Sequence, residues 1–129
     1  MPDSLDPDSQ NLLSSNMETV LYIPALSANA GPATCLIVPQ ALDYVVYAYV
    51  VCLTSGSGDT VPTLTVGYTD DYGSNSISLN MPASATAGQH ASSVTCFYAT
   101  AGSNITYAVG SGVYSNGSTY SVRFIVRIV

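Results

Sequence analysis

The chain is 129 residues long, enough for one domain that buries its own core without staples. It has no lysine and two arginines against eight acidic residues, and its net charge of −6 argues against DNA, RNA or anionic lipid as partners, because each is bound through cations. Only 8% of residues are charged, far below the usual quarter or so. Ser, Thr, Gly, Asn and Tyr fill the deficit, which implies either a surface solvated by hydroxyls and amides or one largely covered by neighbours. The second is favoured, since these residue types make adaptable contact surfaces.

Residues 1–18 are polar and acidic, with Asp3, Asp6, Asp8, Glu18 and two prolines. They lack the basic start and apolar centre of a secretion signal, so the chain is expected to be made in a cytoplasm. Their apolar residues, among them Leu5, Leu12 and Leu13, are too sparse to fold alone. They read as an extended arm lying on a neighbouring subunit or partner.

The domain proper is expected over 19–129. Thr19 to Pro24 is a short first strand, and Gly31-Pro32 breaks the turn after it. Ala33 to Val38 is the second strand. Tyr44 to Leu53 is apolar or aromatic on both alternating sets, without charge, Gly or Pro, and reads as a central strand covered on both sides. A two-layer sandwich has one inner face per sheet, so one set must meet something else. Tyr47 and Tyr49, with Val45, Val51 and Leu53, are assigned to that outer side.

Val61 to Asp70 is the fourth strand, with Pro62 marking an edge or a strand start. Asp70-Asp71-Tyr72-Gly73 turns into Ser74 to Met81, whose Ile77, Leu79 and Met81 face in. His90 to Thr100 and Asn104 to Val109 follow, then a Gly-rich loop with the tight-turn signal Asn116-Gly117. Thr119 to Val129 alternates clearly, setting Tyr120, Val122, Phe124 and Val126 against Ser121, Arg123, Ile125 and Arg127. Eight strands, regular turns and no helical period give an all-β antiparallel sandwich, jelly-roll-like, with an N-terminal arm.

Chemistry is sparse. Cys35, Cys52 and Cys96 each sit in an apolar run and read as buried free thiols, with a Cys52–Cys96 bridge as the alternative. Asp70, Asp71 and Asn75 are close enough to suggest Ca²⁺, but their spacing is not that of an EF-hand loop and Asp-Asp-x-Gly is good turn chemistry. His90 beside Ser92 or Ser93 has no nucleophile motif around it. No cofactor is expected. Arg123 and Arg127 share one side of the last strand, about 13 Å apart. They are read either as partners for the acidic arm of a neighbour or as solubilising charges on a sheet face or edge. Tyr72 and Tyr114 lie in loops and are the exposed aromatic candidates.

From the fourth strand on, the chain reads T-L-T-V-G-Y-T-D-D-Y-G (63–73), A-T-A-G-S-N-I-T-Y (99–107) and Y-S-V-R-F-I-V-R-I (120–128), preceded by Y-V-V-Y-A-Y-V-V-C-L-T-S-G (44–56). This pattern, over roughly 20–129, resembles small β-sandwich proteins of tailed-bacteriophage structural gene clusters. The resemblance implies a non-enzymatic virion component. Its leading form is a capsid decoration (cement) protein on the particle surface, contacting the major capsid protein or other virion proteins, with a homo-oligomer, a trimer first, as its assembly. The alternative it implies is a tail or fibre module that binds a host surface glycan. The expected contacts are Asp3, Leu5, Asp6, Asp8, Leu12 and Leu13 of the arm together with Tyr47, Tyr49, Arg123 and Arg127.

Overall fold

A computed structural model describes residues 18–82 and 86–129. Eight strands make up the fold: β1 (Thr19–Leu26), β2 (Ala30–Ile37), β3 (Leu42–Thr54), β4 (Thr63–Asp70), β5 (Gly73–Asn80), β6 (His90–Ala99), β7 (Asn104–Gly110) and β8 (Thr119–Ile128). They form two four-stranded sheets, β1-β8-β3-β6 and β2-β7-β4-β5, with every named pairing antiparallel. Each sheet takes strands from both halves of the chain, which is the double Greek key arrangement of a jelly roll. The expected sandwich is therefore the observed one. The arm expected over 1–18, including Asp3, Leu5, Asp6, Asp8, Leu12 and Leu13, lies outside the described residues apart from Glu18.

Period-two alternation decides which side chains meet between the sheets. On β3 the set Tyr44, Val46, Ala48, Val50 and Cys52 is buried, and β8 supplies Tyr120, Val122, Phe124 and Val126. The second sheet answers with Leu64, Val66, Ile105 and Val109. Two aromatic pairs cross the interior: Tyr68 stacks on Phe97 with ring centroids 4.0 Å apart, and Tyr107 meets Phe124 at 5.6 Å. Such pairs add about 0.5–1.5 kcal/mol each beyond their burial.

Both early strands run further than their prolines suggest. Pro24 lies inside β1 and Pro32 inside β2, and the cis peptide Gly31-Pro32 sits within the strand rather than in a turn before it. Each proline occupies a register shift, where Ile23 to Leu26 spans Val122 to Tyr120, and Ala30 to Ala33 spans Val109 to Tyr107. β1 and β2 are edge strands. A proline lacks the N–H that an interior ladder needs, but at an edge bulge that loss is harmless and blunts the edge against stray pairing. Gly31 is required here: its φ is +77° and a Cβ would come 2.6 Å from the Tyr107 carbonyl oxygen. Pro62 precedes β4, an interior strand, so of its two readings the strand start holds and the edge does not.

The thiols are also placed differently. Only Cys52 is buried; Cys35 is half-buried and Cys96 exposed. No bridge joins Cys52 to Cys96. Cys52 faces the core, while Cys96 pairs in register with Val45 on the outer side, seven residues or roughly 23 Å along β3. Burial pushes the Cys35 thiol up to about 11 and raises that of Cys52 as well. Among the described residues no helix is long and apolar enough to cross a membrane.

Candidate functional site: the outer face of the first sheet

The register of β1-β8-β3-β6 lines up the outward side chains in rungs. One rung reads Val20, Ile125, Tyr47, Val94; the next reads Tyr22, Arg123, Tyr49, Ser92. Arg127, Val45 and Cys96 form the rung on one side, and Ser121, Val51 and His90 that on the other. Much of this is apolar and open to solvent: Val94 is 62% exposed, Val20 57%, Tyr22 50% and Tyr49 42%. An outward face of this composition is unusual for a sheet side in water, where polar residues normally alternate with the buried ones.

The arginines belong to the face rather than projecting from it. The Arg123 guanidinium lies 4.7 Å from the centre of the Tyr22 ring, and that of Arg127 lies 5.0 Å from the centre of the Tyr47 ring. Arg127 Nη2 also donates to the Tyr47 hydroxyl at 2.8 Å. A place over an aromatic ring suits the weakly hydrated guanidinium, which the ring's negative face attracts. β8 is an interior strand, so the reading of these arginines as charges protecting a sheet edge is excluded. Arg127 has a carboxylate nearby, Glu18 Oε2 at 4.0 Å, with both side chains nearly half exposed. An ion pair that open is worth at most about 1 kcal/mol.

At the Glu18 end the face sinks into an open groove of about 570 Å³, bordered by Glu18, Val45, Tyr47, Val94, Cys96 and Arg127. Tyr47 and Tyr49 thus point outward as their alternation requires, and Arg123 and Arg127 lie beside them. Val20, Tyr22 and Val94 complete the face but carry no sequence signal of their own. They join it only because β1 pairs with β8 and β6 with β3.

The outer side of the second sheet is different in kind. Thr34, Thr106, Gly67 and Ser76 share one rung, Ala108, Thr65 and Ser78 the next, and Gly110, Thr63 and Asn80 a third. Across these rungs it is a lattice of hydroxyls and amides without charge, with Ile37, 64% exposed at the end of β2, as its large apolar exception. Thr63 donates to Asn80 Oδ1 at 2.9 Å, and the hydroxyls of Thr65 and Ser78 lie 3.5 Å apart. A Cβ on Gly67 would meet the Thr106 hydroxyl at 2.6 Å, so glycine keeps the lattice flat there.

The remaining candidates resolve into structure. Asp70 Oδ1 accepts from the Tyr72 amide at 2.8 Å and Oδ2 from Asn75 Nδ2 at 2.9 Å. Both oxygens are engaged within the turn, as turn chemistry requires, and Asp71 does not join them. Among the described residues no three His, Cys, Asp or Glu side chains group as a metal site. Tyr72 is 99% exposed at the tip of that turn. Tyr114 is not an exposed contact: its hydroxyl donates to Asn29 Oδ1 at 2.9 Å and its ring meets Tyr120 edge-on at 5.9 Å. Burial, with the neighbouring Tyr120, pushes its phenol up to about 12. His90 lies on the outer side with its ring 5.7 Å from that of Tyr49, and Ser93 points to the opposite face of the strand.

One polar cluster ties the connection between β3 and β4 to that between β7 and β8. Asp59, after β3, accepts from the Asn116 amide at 3.0 Å and the Ser118 amide at 3.1 Å, while Ser118 Oγ accepts from the Gly56 amide at 2.9 Å. Desolvation raises the Asp59 carboxyl, but the donors from Ser118, Asn116 and Ser115 outweigh it and hold the group below its ordinary range.

No protein-family model matches the chain, and no curated protein matches it. A solved structure described as BiXyn10A CBM1 APO is similar at 13% identity and a TM-score of 0.45, over 90% of this chain and 83% of that one, a likeness too distant to carry an argument.

Proposed function

We propose that this chain is a non-enzymatic structural protein of a bacteriophage virion, a capsid decoration protein that strengthens the head by contact alone. The observation that supports this most is the outer face of the first sheet. It carries exposed Val20, Tyr22, Tyr49 and Val94, with both arginines over tyrosine rings among them. Aromatic residues and arginine are the types enriched at protein interfaces and in their energetic centres.

The size is suitable. Four strands ~4.8 Å apart and about nine residues long make a face of roughly 19 by 30 Å. With side-chain relief that approaches the ~800 Å² per partner of a standard stable interface. The partners are other copies of the chain, with a trimer favoured, and the major capsid protein or another virion protein. The work done is burial of area across capsomer boundaries, which resists internal pressure without a reaction. The hydroxyl lattice of the second sheet then faces solvent. The sequence resemblance to phage β-sandwich proteins points the same way.

Quantitative mass spectrometry of gradient-purified particles, with heads and tails separated, tests the reading. The expected result is a fixed copy number in the head fraction, together with earlier genome release on heating in heads lacking the protein. Absence of the chain from particles sinks the proposal. Recovery in the tail fraction, with specific binding on a glycan array, replaces it with the tail or fibre module.

A further inference from the structure

The two sides of the sandwich treat their edge strands differently. On one side β1 lies beside β2, and Pro24 and Pro32 sit at breaks in their pairing. Such breaks keep a sheet edge from recruiting another strand. On the other side β5 lies beside β6, since Ile77 and Leu79 border the same small gap between the sheets as Ser93 and Thr95. Neither strand contains a proline, an arginine or an acidic residue, and both keep an unbroken register along their length. β6 is the longer of the two, at ten residues. Among the described residues nothing pairs with its free side.

The phase of the hydrogen bonds shows what that free side presents. The Val129 amide donates to the Asp43 carbonyl at 3.1 Å, so Asp43 faces β8; the Cys52 amide donates to the Gln89 carbonyl at 2.8 Å, so Cys52 faces the β6 side. Backbone groups alternate in direction along a strand of an antiparallel sheet. Tyr44, Val46, Ala48 and Val50 therefore bond to Phe97, Thr95, Ser93 and Ala91, their register partners. His90, Ser92, Val94, Cys96 and Tyr98 are left to direct both N–H and C=O off the edge. Their side chains are the exposed ones of the strand.

We propose that β6 is a strand-addition site whose occupant is β6 of a second copy, antiparallel about a twofold axis at Val94. That register sets Val94 against itself, Ser92 against Cys96 and His90 against Tyr98. It uses all five outward residues, for up to about ten backbone hydrogen bonds, and any shifted register uses fewer. No charged side chain on one strand opposes another, and exposed Val94 gains an apolar cross-strand partner. The size fits a reversible dimer. The strand is about 30 Å long, and with β5 ~10 Å behind it the side of the sandwich offers roughly 600 Å² per copy. The total of about 1,200 Å² is at the low end for specific interfaces.

This contact goes beyond the proposed virion contact, which uses the outer face of the first sheet and not its edge. Pairing through β6 joins two such faces into one sheet of eight strands and leaves both open to a further partner. It concerns the free chain and stands whether or not the chain belongs to a virion.

Sedimentation of the full chain between about 1 and 100 µM should show a monomer–dimer equilibrium. Val94→Pro removes an N–H that the fold does not use, so the melting temperature should change little while dimerisation weakens at least tenfold. Val20→Asp, on the opposite edge strand of the same face, should change it by less than about twofold. A chain that stays monomeric overturns the proposal, as it would if the edge takes a strand from a different protein. So does an oligomer that survives Val94→Pro or is lost in Val20→Asp. Ser92→Cys in a Cys35→Ser background gives a measurement independent of the proline. Mild oxidation should link position 92 of one copy to Cys96 of the other, mapped by mass spectrometry of the linked peptides. The two Cys96 residues are about 13 Å apart in this register, too far to bridge. A bond between them, or no bond, overturns the assignment.

Discussion

The two sheets have outer sides of opposite character although they share one core. Along the first sheet an outward rung reads Val20, Ile125, Tyr47, Val94; along the second it reads Thr34, Thr106, Gly67, Ser76. The low charge of the chain therefore has two causes, one for each side. The second sheet is solvated by hydroxyls and amides without needing charge. The first has cations only where arginine lies on tyrosine, and the rest is surface of the kind that contacts protein.

The largest effect that separates the sheets should come from just beneath their faces. Phe124 is 1% exposed behind the aromatic face, so Phe124→Ala should cost about 3–5 kcal/mol in urea denaturation. Leu79, half-buried on the edge strand β5 of the other sheet, should cost about 1–2 kcal/mol when changed to Ala, because less of it is buried and the site is freer to relax. Equal losses would mean that the two sheets support the core alike.

Next comes the proposed binding to a virion head. Tyr49→Asp should weaken association with purified heads by about 30-fold, the scale of one interface hot spot at ~2 kcal/mol. Ser76→Asp should change it by less than about twofold, as expected for a residue outside the contact. If Ser76→Asp weakens binding more, the docking side is the hydroxyl lattice and the assignment of the faces is reversed.

A smaller effect concerns the Asp59 clamp between the two loops. The Asp59 carboxyl is held below its ordinary value in the fold, so its stabilising contribution is present above the unfolded value near 4 and is lost as pH falls through the lower folded one. Thermal melts of the native chain should fall more steeply below about pH 4 than those of Asp59→Asn. Parallel curves would show that the clamp is not the acid-sensitive element. The smallest effect should come from Glu18→Gln, under about 0.5 kcal/mol in the same denaturation assay, since its partner Arg127 is 4.0 Å away and both are largely open to solvent.

Legibility followed the reach of each signal. The alternation along β3 assigned Tyr47 and Tyr49 to the outside and Tyr44, Val46 and Val50 to the core, because period two is local and strict. Ile77 and Leu79 were placed inward by the same rule. Pro24 and Pro32 misled, since a proline reads as a terminator unless its strand is known to be an edge. Cys96 was read as buried because its run is apolar, yet that run lies on a strand whose outer side is apolar too. Tyr114 was read as exposed because it sits in a loop, and only the approach of Asn29 from 85 residues away enclosed it.

Composition and alternation by themselves determined the all-β class, the number of strands and the inner side of β3 and β5, because those depend on neighbours one or two residues apart. Tertiary structure alone decided the order β1-β8-β3-β6 and β2-β7-β4-β5. That order brought Tyr22 to Arg123 and Val94 to Tyr47, making one aromatic face from four separate segments, while the serines and threonines of β2, β4, β5 and β7 became one lattice. The physical reason is that strand pairing joins residues more than a hundred positions apart, as Thr19 with Val126, and the information for it is spread over the whole packed core rather than held in any one stretch.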